Sequence, residues 1–233
     1  MDDVTKNLMK FWDNYYKLTD ADYDYFNNIN EKDYMSLAPS LKQLDALRLF
    51  KNSNYVLDYG SGTGWASIIM AKEGKNKIKS VDVSPNSVKV TSLYAKAYNL
   101  ENEIEAILID EKWINNEKDN SYDGFFSSNV IDVIPLDAAK NIIKEASRIV
   151  KPNSYVIFSV NYYISIEEMK KRGFKVIGNS AFIDGILRLT SLSDEEWIEI
   201  FNEYFKVIDV KYYAWPEEEE EKRRIFILKN NKL

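Results

Sequence analysis

Short apolar runs alternate with longer amphipathic segments between residues 54 and 160. The apolar runs have the length of buried strands and cover 54–58, 78–83, 103–109, 122–128 and 155–160. The segments between them repeat apolar residues at helical spacing, as Ala139, Ile142, Ile143 and Ala146 do. This alternation predicts an α/β fold with a mostly parallel sheet covered by helices on both faces, because parallel strands require long crossovers.

The two flanks of this region have different patterns. Residues 1–50 are rich in aromatic and polar side chains and predict an N-terminal helical cap, and residues 161–192 read as an insertion after the fifth strand. In 193–233 the capping box Ser193-x-x-Glu196 opens a final helix, and two strands with a short connection follow, which favours an antiparallel hairpin. No Gly/Ser-rich or Pro-rich linker separates these parts, so we expect a single domain over 1–233 with a core at 53–160.

Composition places the chain among ordinary globular proteins. It has 233 residues, of which 45% are hydrophobic and 29% charged, enough for a sizeable buried core. No apolar run approaches the roughly 18 residues that a membrane crossing needs, and Met1-Asp2-Asp3-Val4 lacks a basic region followed by an apolar one. We therefore expect a cytoplasmic protein that does not bind membranes.

The chain contains neither cysteine nor histidine. This excludes cysteine nucleophiles, Ser/His/Asp catalysis and thiolate or imidazole metal sites, and we expect no metal. The net charge of −6 offers no broad attraction to nucleic acid. Small molecules or proteins are the expected partners, and the sequence does not indicate an oligomeric state.

Polar residues follow the predicted strands. Asp58, Asp82, Asp110 and Asn129 come at four successive strand ends, where open parallel sheets bind their ligands. The turn Gly60-Ser61-Gly62-Thr63-Gly64 follows the first strand and lets the backbone approach a bulky ligand, but Trp65 departs from the pattern that cradles a dinucleotide pyrophosphate. Asp82 lies twenty-two residues after Gly60, the spacing of a carboxylate that binds a ribose diol. A nucleoside ligand is implied.

In sequence order, these motifs resemble the class I S-adenosylmethionine-dependent methyltransferases, of the type that acts on small molecules. Val56-Leu-Asp58-Tyr-Gly60-Ser-Gly62-Thr-Gly64 is similar to motif I, and the family's strand-end acids correspond to Asp82 and Asp110. The resemblance implies a Rossmann-like, doubly wound sheet of seven strands that ends in an antiparallel hairpin, and S-adenosylmethionine as cofactor, with S-adenosylhomocysteine as its product. The residues that it implies for cofactor binding are Asp58, Gly60, Ser61, Gly62, Gly64, Asp82, Val83, Asp110, Glu111, Trp113 and Asn129.

The role of Trp113 stays open, because this side chain would either cover the adenine face or pack in the core. The sulfonium is already an activated electrophile, which suits a chain without histidine. Asn129-Val-Ile-Asp lacks the Pro-Pro-aromatic sequence of enzymes that methylate bases, so a small-molecule acceptor with an oxygen or nitrogen nucleophile is expected, and no catalytic residue is singled out. The candidates for lining its pocket are Tyr15, Tyr16, Tyr162, Tyr163 and Arg188.

Two alternatives remain. A non-catalytic protein of the same fold would bind S-adenosylmethionine or S-adenosylhomocysteine and act as a partner or regulatory subunit. A nicotinamide-dependent oxidoreductase would use the glycine-rich turn for a dinucleotide, a use that Trp65 disfavours.

Overall fold

The computed structural model describes residues 3–74 and 76–231. The outer ends of the predicted cap and hairpin, residues 1–2 and 232–233, lie outside these ranges, as does Lys75.

Helices build the N-terminal segment and the crossovers. The α-helices are α1 (Asp3–Tyr15), α2 (Asp20–Asn27), α3 (Leu41–Leu47), α4 (Trp65–Gly74), α5 (Pro85–Ala97), α6 (Trp113–Asn116), α7 (Leu136–Ile149), α8 (Ile166–Lys171) and α9 (Asp194–Asn202). Short 3-10 helices at Glu31–Leu37 and Arg48–Phe50 complete the cap. Local chemistry sets several helix starts: the hydroxyls of Ser84 and Ser193 each accept a backbone N–H from the first turn.

The main sheet has seven strands in the order β3-β2-β1-β4-β5-β10-β9. They are β1 (Tyr55–Tyr59), β2 (Lys77–Asp82), β3 (Ile104–Leu108), β4 (Tyr122–Ser128), β5 (Val150–Val160), β9 (Phe205–Tyr213) and β10 (Arg223–Asn230). Strands β1 to β5 pair in parallel, whereas β10 runs antiparallel to both β5 and β9. The expected fold, a mostly parallel seven-stranded sheet with a terminal antiparallel hairpin, is therefore confirmed.

Neighbouring residues of the central strands belong to opposite sides of the sheet. Leu57 and Phe125 pack in one apolar cluster with residues of α7 and α9, while Val56 and Phe126 pack in the other with residues of α3 and α4. All four side chains are essentially inaccessible to solvent. Burial on both faces explains why these strands read as nearly continuous apolar runs rather than as alternating ones.

The insertion between β5 and α9 contains more structure than its sequence predicts. After α8 the chain forms a separate antiparallel sheet of three short strands, β6 (Lys175–Ile177), β7 (Ser180–Ile183) and β8 (Ile186–Thr190). The sequence predicts the short helix in this segment but not these strands. Helix α1 packs against β8, so that the N-terminal cap and the insertion meet on one side of the main sheet.

Candidate active site

A cavity of about 780 Å³ opens at the carboxyl ends of the parallel strands. It lies where β1 and β4 are neighbours. From this point the strand order runs to β2 and β3 on one side and to β5 on the other, and open α/β sheets bind ligands at such a switch point. Helix α1 forms the opposite wall. The volume is near the upper end of the roughly 300–1,000 Å³ typical of ligand pockets, which leaves room for a cofactor and a second small molecule.

The glycine-rich loop after β1 forms one wall of this cavity. The backbone N–H groups of Gly60 and Ser61 donate to the carbonyl of Val81, at 2.8 and 3.0 Å, and thereby tie the loop to the end of β2. Gly60 has φ +71°, and a Cβ on it would lie 2.3 Å from Cγ2 of Val130. Only glycine satisfies both the backbone conformation and the space at this position.

Asp82, at the end of β2, holds the middle of the same loop. Its Oδ2 accepts the backbone N–H of Gly62 and its Oδ1 that of Ser84, both at 2.9 Å. The carbonyl of Gly62 in turn accepts the hydroxyl of Ser87, at 2.6 Å. A carboxylate can accept about four hydrogen bonds, so Asp82, which lines the cavity, retains capacity for a ribose hydroxyl.

Asp58, at the end of β1, also lines the cavity although it is only 2% exposed. Its Oδ2 accepts the hydroxyl of Ser67 at 2.6 Å, and this hydroxyl lies 2.7 Å from that of Ser80. Burial raises the pKa of Asp58 to about 7, although the hydrogen bond from Ser67 opposes the shift. The carboxyl is therefore poised between its neutral and charged forms near neutral pH.

Two buried polar atoms in the cavity wall test whether a cofactor fits. The hydroxyl of Ser61 and the amide oxygen of Asn129 are buried and find no hydrogen-bond partner among residues 3–74 and 76–231. Unpaired buried polar groups are costly, so both atoms call for a polar ligand. Together with the space that Gly60 and Gly62 leave and the carboxylates of Asp58 and Asp82, they fit S-adenosylmethionine, which carries a ribose, an ammonium and a sulfonium.

Most of the predicted cofactor-binding residues come together in this cavity. Those that line it are Asp58, Gly60, Ser61, Gly62, Asp82, Val83, Glu111 and Asn129. Gly64, Asp110 and Trp113 do not: Gly64 faces Thr91 of α5, and Asp110 is exposed and accepts the backbone N–H of Lys112 at 3.0 Å.

Trp113 packs as part of the protein core. Its ring lies against the apolar cluster on the α7 side of the sheet, and the ammonium of Lys79 lies 5.6 Å from the ring centroid. Of the two roles that the sequence leaves open for Trp113, this placement corresponds to packing.

The half of the cavity away from the glycine-rich loop, here called the acceptor half, is built from the flanking segments. Tyr15 of α1, Tyr16 directly after it and Arg188 of β8 line the cavity, as the sequence predicts for the pocket wall. Tyr162 and Tyr163 do not contribute. They border a separate depression next to Tyr212.

Hydrogen bonds fix the end of α1 near the glycine-rich loop, in the half of the cavity here called the cofactor half. Oδ1 of Asp13 accepts the hydroxyl of Ser84 at 2.8 Å and the backbone N–H of Asn86 at 3.0 Å. This places Tyr16 over the loop, where a Cβ on Gly62 would lie 2.7 Å from the tyrosine hydroxyl. Burial, and then the negative charge of Asp82, raise the pKa of Tyr16, so that this hydroxyl stays protonated at neutral pH.

Several residues that line the cavity are not singled out by the sequence. They are Leu8, Met9, Phe11 and Trp12 of α1, Val130, Val133 and Ile134 after β4, Ala138, Asn141 and Ile142 of α7, Asn161 after β5, and Trp215 and Arg223 of the terminal hairpin. Asn161 follows the end of β5 just as Asn129 follows β4. The expectation that polar residues at the ends of parallel strands face the ligand could therefore have identified Asn161. The others depend on how the segment after β4 and the flanking segments fold over the sheet.

No group of acidic side chains in residues 3–74 and 76–231 is arranged to hold a metal ion. Within the same residues, no helix is long and apolar enough to cross a membrane.

Comparison with known proteins agrees with the fold and the motifs. Residues 56–153 match the family model described as a methyltransferase domain. The chain is 29% identical, over 105 residues, to the ubiquinone biosynthesis O-methyltransferase of Neisseria meningitidis serogroup A; the match covers 45% of this chain and 42% of that protein. The chain thus spans less than half the length of this curated relative.

Solved structures extend the likeness of fold beyond residues 56–153. The geranyl diphosphate C-methyltransferase of Streptomyces coelicolor A3(2) superposes with a TM-score of 0.67 at 8% identity and covers 98% of each chain. The N-methyltransferase NodS of Bradyrhizobium japonicum, in complex with S-adenosyl-L-homocysteine, gives 0.59 at 14% identity over 82% of this chain and 85% of its own. The sheet order, the ordered motifs and the match over residues 56–153 together identify this part of the chain as a methyltransferase domain of the class I S-adenosylmethionine-dependent type.

Proposed function

We propose that this protein transfers a methyl group from S-adenosylmethionine to an oxygen or nitrogen atom of a small molecule. The observation that carries the proposal is the continuity of the cavity. One end has the glycine-rich loop, Asp82 and the unpaired oxygens of Ser61 and Asn129, and the other has the largely apolar walls from α1 and the terminal hairpin. A cofactor at the first end would present its reactive carbon to a molecule at the second.

Bound S-adenosylmethionine supplies a methyl carbon on a positively charged sulfur, an electrophile that needs no further activation. The protein has to bind and orient the cofactor and the acceptor, and it has to exclude water. Asp82 would accept the ribose hydroxyls, and the Asp58 carboxylate would face the methionine ammonium. Tyr16 would cover the loop and keep water from it.

The cavity offers little for proton abstraction. The pKa of Tyr16 is raised, so its hydroxyl is neutral and donates rather than accepts a proton, and Asp58 is committed to the cofactor end. We therefore expect an acceptor that is nucleophilic without a strong base, such as an amine or an acidic phenol. The net charge of −6 supports a small molecule over a nucleic acid.

Calorimetry with S-adenosylmethionine tests the cofactor. The wild type should bind it, and Asp82→Ala should bind at least about tenfold more weakly, because a hydrogen bond to a charged group is lost. Asp209→Ala, which removes an exposed acid of the edge strand β9, is the matched control and should bind like the wild type. Absence of wild-type binding at millimolar cofactor contradicts the proposal.

A second measurement separates an enzyme from a non-catalytic cofactor-binding protein of the same fold. Release of S-adenosylhomocysteine is followed over a panel of amines and phenols. Turnover with at least one acceptor supports catalysis, whereas tight cofactor binding without turnover on any acceptor favours the non-catalytic alternative. The family match argues against the nicotinamide-dependent oxidoreductase.

A further inference from the structure

Charge is distributed unevenly along the cavity. Its carboxylates, Asp58, Asp82 and Glu111, lie at or just after the carboxyl ends of β1, β2 and β3, on the side of the glycine-rich loop. Its guanidinium groups, on Arg188 and Arg223, come from β8 and β10 and line the acceptor half. A molecule in the acceptor half therefore meets positive rather than negative side chains.

Arg223 is already occupied within the protein. Its Nε and Nη2 donate to the two carboxylate oxygens of Glu218, each at 2.7 Å, and its Nη1 donates to the side-chain oxygen of Asn161. The guanidinium also stacks on Trp215, 3.5 Å from the ring centroid. This bidentate pair neutralises the charge of Arg223, which leaves it little capacity for a ligand.

Arg188 differs from Arg223 in this respect. Its guanidinium carbon lies 4.2 Å from the ring centroid of Phe11, so the aromatic face holds the side chain in place. Among the described residues, neither a hydrogen-bond acceptor nor a carboxylate is paired with it, and the residue is exposed to solvent at the cavity. A stacked guanidinium keeps its N–H donors at the edge, where they match the two oxygens of a carboxylate or phosphate.

The walls around this cation are largely apolar. Leu8, Phe11, Trp12, Val133, Ile134 and Trp215 line this half of the cavity. Flat aromatic rings on α1 and in the terminal hairpin favour a planar, apolar ligand body. The acceptor half thus combines an apolar chamber with one unpaired cation.

We propose that the methyl acceptor is an apolar, aromatic acid whose carboxylate or phosphate group is bound by Arg188. This inference rests on the proposed methyltransferase function and names its substrate class. The anion would orient the acceptor along the cavity, with its nucleophilic atom directed toward the cofactor half. Arg188 acts here by positioning the substrate and takes no proton.

Three probes of similar shape test the inference: 2-naphthoate, 2-naphthyl phosphate and the neutral 2-naphthamide. Each is titrated by calorimetry into the full chain saturated with S-adenosylhomocysteine, which prevents turnover. At least one anion should bind roughly two- to fivefold more tightly than the amide, the range expected for an ion pair of an exposed arginine. The tighter of the two anions tells whether a carboxylate or a phosphate is the preferred group.

Arg188→Gln should remove the preference for the anion, and Arg188→Lys should retain part of it. Arg172→Gln is the matched control, because Arg172 is also an arginine of the insertion but pairs with Glu168 outside the cavity. It should behave like the wild type. Circular dichroism and the S-adenosylhomocysteine titration establish that each variant is folded and binds cofactor.

The inference is overturned if the amide binds as tightly as both anions, if Arg188→Gln keeps the preference, or if no probe binds at millimolar concentration. These results leave the proposed function intact as long as S-adenosylhomocysteine binds. Failure of S-adenosylhomocysteine and S-adenosylmethionine to bind the wild type removes the proposed function and, with it, this inference.

Discussion

The carboxylate of Asp82 accepts the backbone N–H of Gly62 at 2.9 Å, so the acid at the end of β2 holds the loop that follows β1. The same peptide unit is fixed on its other side, because the carbonyl of Gly62 accepts the hydroxyl of Ser87 at 2.6 Å. The loop is therefore positioned before any ligand arrives, which lowers the entropic cost of binding.

Ser87→Ala should weaken S-adenosylmethionine binding although Ser87 does not line the cavity. Loss of one neutral hydrogen bond, worth about 0.5–1.5 kcal/mol, corresponds to a roughly 2- to 12-fold rise in Kd. Calorimetry measures the Kd of each variant for S-adenosylmethionine. The control is Ser92→Ala on the same helix, whose hydroxyl bonds only to the carbonyl of Val88 and should leave Kd unchanged. Equal affinities for both variants would count against a prearranged loop.

Gly60→Ala should destabilise the fold and reduce cofactor binding, because the new Cβ would lie 2.3 Å from Val130 in addition to the strain of φ +71°. Gly185→Ala separates the two effects, since Gly185 has φ +76° but nothing within 4 Å of its Cβ position. Strain alone should cost about 1–2 kcal/mol of unfolding free energy, measured by urea denaturation. Gly60→Ala should cost more, and adding Val130→Ala should recover part of the difference.

The raised pKa of Asp58 predicts a pH dependence of stability. Because the folded pKa of about 7 lies above the unfolded value, the folded state binds the proton more tightly. The contribution of Asp58 to stability is complete below the unfolded pKa of about 4 and is lost as pH rises to about 7. The unfolding free energy of the wild type, relative to Asp58→Asn, should therefore fall between pH 4 and 7. A constant difference between the two proteins over this range would contradict the raised pKa.

Cofactor binding should show the opposite trend with pH. S-adenosylmethionine is positively charged and should bind better when Asp58 is a carboxylate, so affinity should rise from pH 5.5 to about 7 and then level off. Calorimetry in buffers of different ionisation enthalpy should detect proton release below pH 7. In Asp58→Asn the affinity should be lower and independent of pH over this interval.

Asp13→Ala should loosen α1, because it removes the acceptor for the Ser84 hydroxyl and the Asn86 N–H. Hydrogen exchange of the α1 amides, measured by mass spectrometry, should become faster while exchange in β1 and β4 stays the same. Asp24→Ala on α2 serves as control. Unchanged exchange in α1 would show that packing against β8 and α5 is enough to hold this helix.

The sequence predicts the main sheet and the glycine-rich loop because both depend on local signals. Buried parallel strands are apolar on both faces, and Gly60 meets a requirement that other residues do not. The strands of the insertion are not predicted, since they have three to five residues of mixed polarity. Their turns did carry a signal, because Asp184-Gly185 is a hairpin dipeptide.

Side-chain placement in the site is only partly predictable. Asp82 is identified by its distance along the chain from the glycines, a spacing that the crossover imposes. By contrast, the side of the sheet that Trp113 faces depends on its packing against the cluster that also contains Tyr122. Likewise, the fold of the insertion separates Tyr162 and Tyr163 from the cavity that Tyr15 and Tyr16 line. Those contacts join residues far apart in sequence, and no local pattern encodes them.

The acceptor half of the cavity draws much of its wall from α1, β8 and the terminal hairpin, which lie outside residues 56–153, whereas Asp58, the glycine-rich loop and Asp82 lie inside them. Part of the wall that would contact a substrate is thus encoded outside the segment that encodes the donor site. Exchanging the 161–192 segment, which carries Arg188 but neither the glycine-rich loop nor Tyr16, for that of a homologue would be the direct way to alter specificity while the donor site is inherited intact.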